Sequence, residues 1–158
     1  MAKAEPIPGI APDTRFGDVA AAAVQTRTRE VFAHAEGVLD LADPERVHAM
    51  RVATRRLRSA LEVFAVCFPR KRHRRALRDV KALADALGER RDPDVAVARL
   101  RALAEALHPA DRPGVEGLAA ELAGEREEAN RTLAAALDDV AAGELERRLL
   151  ELAAEARR

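Results

Sequence analysis

The chain has 158 residues, enough for one domain with a substantial core and too few for two comfortable ones. Apolar residues make up 48% of it but aromatics only 3%, with no Trp or Tyr, so the core must be assembled from Ala, Leu and Val, which suits close-packed helices and excludes an all-β protein. The formal net charge is +0, no window approaches the roughly 18 uncharged apolar residues of a membrane span, and Cys67 is the only cysteine, so an internal disulfide is excluded.

In chain order, residues 1 to 15, with Pro6, Pro8, Gly9 and Pro12, read as an extended, mobile lead-in to a single domain over 16–158. No basic start followed by an apolar signal core appears there, which together with the lone cysteine makes a reducing cytosol the simplest compartment. A first helix is predicted from about Gly17 to Leu41, with Ala20, Val24, Val31, Ala35 and Val38 recurring at the helical period. A second opens at Asp43-Pro44-Glu45, which supplies a cap, a proline suited to the first turn and an acid at the positive end of the dipole. It ends near Phe68-Pro69. A third, from about Arg70 to Leu87, is expected to stop at Gly88, and a fourth to start again at Asp92-Pro93-Asp94, with Asp92 as its cap, and run to Leu107. Beyond Pro113 and Gly114 a long Ala/Leu/Glu helix extends to about Asp139, with Gly124 as its weak point. A last piece runs from Glu144 to Ala156. About five to six helices, short connections and no strand pattern predict an all-α antiparallel helical bundle.

The zero net charge conceals an uneven distribution. Between Arg46 and Lys81 lie 12 of the 27 basic residues and only two acids, Glu62 and Asp79, a local balance of +10 that the rest of the chain cancels. On a helical projection of the second helix, Met50, Ala53, Leu57, Ala60, Leu61, Phe64 and Phe68 share one face. Arg51, Arg55 and Arg58 lie on the side of His48, with Arg56 at the flank. In the third helix Ala76, Leu77, Val80, Leu83, Ala84 and Leu87 take one side, and Lys71, Arg74, Arg75, Arg78 and Lys81 spread over the other. A solubility face gains from mixed signs, whereas a face of one sign carries repulsion that only an anion or acidic partner offsets. Guanidinium forks also match phosphate oxygens bidentately. If the two helices form an antiparallel hairpin, their basic faces merge into one groove or plate, suited to a long, repetitive polyanion.

Two stretches, VHAMRVATRRLR at 47–58 and LGERRDPDV at 87–95, resemble the CHAD family, the conserved histidine α-helical domain. The similarity covers about Phe16 to the C-terminus. It implies an all-helical fold, binding of inorganic polyphosphate on a basic surface, no catalytic activity and no cofactor, and association with polyphosphate granules. It places the family's histidine on His48, its arginines on Arg51, Arg55, Arg56 and Arg58, its third-helix basic position on Lys81, and its Arg-Asp pair on Arg91 and Asp92. Arg91 has two open roles, reaching the ligand or pairing with a nearby acid. Typical members hold two related halves and this chain matches one, so either the sequence is a piece of a longer one or two identical chains rebuild the pair, and a homodimer is expected.

Three other readings compete. Nonspecific nucleic-acid binding uses the same phosphate chemistry, but the basic segment has no Asn or Gln for base edges, and its two Phe, Phe64 and Phe68, lie on the core face rather than forming stacking platforms. A histidine phosphotransfer domain would phosphorylate His48, yet the cationic field extends well beyond one acceptor. Metal ligation needs three or four donors, and near His48 only Glu45 shares its face, among arginines that repel a cation. His34, His73 and His108 read as surface or capping residues and Cys67 as a packing residue. Glu116, Glu121, Glu125, Glu127 and Glu128 in the acidic later helix serve solubility or dock on another copy's basic face.

Overall fold

The computed structural model describes residues 4–156. It is an all-α bundle of five α-helices: α1 (Phe16–Ala33), α2 (Pro44–Val63), α3 (Arg70–Ala106), α4 (Arg112–Ala142) and α5 (Leu145–Glu155). Short 3-10 turns at Ala65–Cys67 and Pro109–Asp111 lead into α3 and α4. The N-terminal stretch from residue 4 carries turns but no helix, and the Glu5 amide donates to the Glu30 carboxylate. Residues 1–3 of the expected lead-in lie outside the described residues.

The start of α2 follows its sequence signals. Asp43 accepts from the Glu45 amide at 3.2 Å and Pro44 occupies the first turn. The helix ends at Val63, a turn earlier than expected, and the 3-10 turn carries the chain on to Phe68. Helix α1 stops at Ala33 rather than continuing to Leu41. Gly37 adopts φ +70, and Arg46 folds under it to donate to the Glu36 carbonyl at 3.2 Å. The positive φ favours glycine there; a Cβ would also lie 2.5 Å from Arg46 Nη1, a contact the flexible arginine side chain can move to relieve. Val38 is buried at 1% exposure and ties this loop to the core.

The largest departure from expectation lies at Gly88 and Asp92. No break occurs there, and α3 is one helix of 37 residues with Pro93 inside it. A proline there forfeits the bond to the Glu89 carbonyl. The helix continues because the Arg90–Asp94 pair, at 2.6 Å, brackets the proline across one turn and α4 packs alongside. Asp92 therefore caps nothing and stands exposed on the helix flank. Helix α4 is likewise continuous through Gly124.

Ala20, Val24 and Val31 of α1 meet Met50, Leu57 and Leu61 of α2, Val80, Leu83 and Leu87 of α3, Leu133 of α4, and Leu145, Leu149 and Leu152 of α5 in one contiguous core. The α2 face read from the sequence is the buried one, with Ala60 and Phe64 partly covered at its edge. The rest of α3 beyond Leu87 and the first half of α4 form an antiparallel two-helix arm. Its own seam buries Val97, Ala104 and Ala119 and leaves Leu103 and Leu118 about half exposed. No described helix is long and apolar enough to cross a membrane.

Candidate anion-binding surface

Helices α2 and α3 pack as the expected antiparallel hairpin, joined by three cross-links. Near the turn, His73 Nε2 donates to the Leu61 carbonyl at 2.8 Å, and its ring stacks on Phe68 at 5.9 Å between centroids. His73 is 7% exposed, so it is a buried cross-link and not the surface residue expected. An apolar face at the hairpin turn has room for a ring whose one polar contact is satisfied by a carbonyl. In the middle, Glu62 lies 3.0 Å from Arg58 and 3.4 Å from Lys81. The hydrogen bond from Arg58, with help from Lys81, holds the Glu62 carboxyl below its ordinary range. At the far end Arg91 reaches the Pro44 carbonyl and Glu45, both at 3.4 Å. Of its two open roles, the geometry shows the pairing: its side chain is 17% exposed.

The predicted cations fall into two differently built places. Arg70, Lys71, Arg72, Arg74, Arg75 and Arg78 line a solvent-open concavity of about 810 Å³ with no acid in its lining. Arg72 is held by Glu151 and Glu155 of α5, and Arg78 leans on Asp79 at 3.3 Å while staying 74% exposed. Arg70, Lys71, Arg74 and Arg75 are exposed, with no ion pair or hydrogen bond among the described residues. This basin wraps the first turns of α3, whose N-terminal Pro69 provides no side-chain cap and whose first turn holds no acid. Cations at the positive end of a helix dipole each cost about 0.3–1 kcal/mol, a tension that an anion relieves.

The second place is a groove of about 410 Å³ between the helices. Arg51, Arg55 and Arg58 form one wall, Asp85, Glu89 and Asp92 the other, and Ala84 and Gly88 the floor. The single plate of one sign is thus interrupted. The strongly basic segment ends at Lys81, and antiparallel packing sets Arg51 and Arg55 opposite residues beyond that boundary. Arg51, Arg55 and the three carboxylates make no ion pair with one another or with other described residues. His48, half-buried, precedes Arg51 by one turn with no hydrogen bond among the described residues, and Arg56 is half-buried on the flank with a partner of its own.

Sequence reasoning missed a buried ionic cluster. Arg90 is fully buried and donates to Asp94 at 2.6 Å and to Asn130 Oδ1 at 2.9 Å, while Asn130 donates to the Leu39 carbonyl at 3.0 Å. Arg126 and Arg91 stand 3.8 and 4.0 Å from the same Asp94. Three guanidiniums around one carboxylate lock the base of the arm to the α1–α2 loop. The i, i+4 spacing of Arg90 and Asp94 was a usable signal, but the expected helix break between them concealed it.

His34 closes α1, and His108 accepts from the Ala110 amide at 3.3 Å ahead of α4. Glu116, Glu121, Glu125, Glu127 and Glu128 are all exposed along α4. A family model described as CHAD domain matches residues 22–158. No curated protein matches the chain.

Proposed function

The chain belongs to the CHAD-domain family, and from that premise we propose that it is a non-catalytic module that binds inorganic polyphosphate, acting in the cytoplasm at polyphosphate granules. The observation that carries this reading is the acid-free basin of Arg70, Lys71, Arg74, Arg75 and Arg78 around an uncapped helix start. Polyphosphate carries about one charge per phosphorus on a thin flexible chain. Neutralising several phosphates releases condensed counterions, as it does for single-stranded nucleic acid. A bound chain occupies the basin; Lys81 and Arg58, which share Glu62, and then Arg55, Arg51, His48, Arg56 and Arg91 lie beyond it along the hairpin.

Competition at equal charge concentration between long-chain polyphosphate, duplex DNA and tRNA tests the assignment. Preference for polyphosphate is expected, and equal displacement by all three reduces the protein to a general phosphate binder.

The same reading includes a symmetric pair of chains. Phe16, Val63 and Val66 are exposed at 56%, 66% and 87%, and the Phe16 ring lies 5.1 Å from Phe64. Exposed apolar side chains at the end of α2 and the turn into α3 support self-association. Light scattering is expected to give twice the protomer mass and to return to one with Val66→Glu. A single-protomer mass for the wild type rejects the pair.

A further inference from the structure

In the groove between α2 and α3, Arg51 and Arg55 face Asp85 and Glu89, with Asp92 one turn further on, across a floor of Ala84 and Gly88. None of these charges closes an ion pair across the gap. Gly88 lies in the middle of a long helix, where glycine costs about 1 kcal/mol relative to alanine, and a Cβ there would meet nothing within 4 Å. The floor is small, and the carboxylates of the far wall are exposed to solvent. A surface built only to attract a polyanion has no use for three free carboxylates opposite its arginines, since like charge against a ligand is the usual way of excluding it.

We propose that Asp85, Glu89 and Asp92 limit the length of polyphosphate the domain seats, by holding the chain in the α3 basin and off the arginine wall of α2. The proposal rests on the polyphosphate reading. It adds a specificity element to it: the carboxylate wall sets where the bound chain stops. These carboxylates form no cluster arranged to cage a metal ion among the described residues, so their action on a phosphate chain is repulsion.

The test is Asp85→Asn, Glu89→Gln and Asp92→Asn combined, three near-isosteric changes at exposed positions, compared with wild type in titrations of long-chain polyphosphate over a range of salt. Admitting phosphates to Arg51 and Arg55 steepens the plot of log affinity against log salt by about 1.4, from two contacts at roughly 0.7 each. Each halving of salt then widens the gap between variant and wild type by about 2.6-fold. The number of phosphates occluded per protein rises as well. Unchanged slope and occlusion overturn the proposal. So does weaker binding by the variant when Mg2+ is present, because that result makes the carboxylates holders of a phosphate-bound cation. A wild type that ignores polyphosphate fails before any variant is compared and removes the underlying reading with it.

Discussion

Replacing Arg74 and Arg75 together by Gln isolates the basin from the rest of the molecule. Both side chains are exposed and unpaired among the described residues, so nothing structural is removed with their charge. The four basin cations without a partner predict a slope near −2.8 for log affinity against log salt, and the double variant retains two of them, for about −1.4. Raising salt from about 50 to about 200 mM then weakens wild-type binding about 50-fold and the variant only about sevenfold. Anisotropy of end-labelled polyphosphate at three salt concentrations measures both slopes. Stability stays within about 0.5 kcal/mol, as for ordinary surface changes, and moves upward if at all, because two like charges leave the positive end of α3. Parallel slopes for the two proteins would refute the assignment of phosphate contacts to this basin.

Three further outcomes are expected. Asp94→Ala leaves Arg90 buried without its carboxylate and destabilises the fold by about 3–5 kcal/mol in urea unfolding, whereas an apolar pair at both positions recovers most of that loss. Gly88→Ala stabilises by about 0.5–1 kcal/mol in thermal or urea unfolding, since its Cβ meets nothing and the helix gains the better former. The Glu62 carboxyl titrates below its ordinary 4.5 in the free protein, read by NMR. Because the folded value is the lowered one, its small contribution to stability is complete above about pH 4.5 and is lost as pH falls through the folded value. Polyphosphate confined to the basin leaves Arg58 and Lys81 with Glu62, so that lowered titration persists on binding.

The helical class, the start of α2, the buried face of α2 and the α2–α3 hairpin were legible because each rests on local signals: period, cap, proline, turn. Gly88 and Asp92-Pro93 misled because those same signals are punctuation only in the absence of neighbours. Here a buried ion pair and a packed helix alongside outweigh one lost hydrogen bond. His73 was misplaced for a related reason. Its neighbours in sequence are all basic, and only the fold brings it onto Phe68 and the Leu61 carbonyl. The basic segment was visible as composition. Its division into an acid-free basin and a two-signed groove was not, since that depends on which residues face each other across the hairpin.

The unbroken α3 has one more effect. At 1.5 Å per residue it is a rod of about 55 Å that starts among unpaired guanidiniums and passes the carboxylates at 85, 89 and 92, with acid-rich α4 running back beside its far half. Such a rod gives the molecule a permanent electric moment along its length. A long anionic polymer would meet the basic end of the rod first, whereas at the far end Arg99, Arg101 and Arg112 balance Glu105, Asp111 and Glu116, so that end neither attracts nor repels it by net charge.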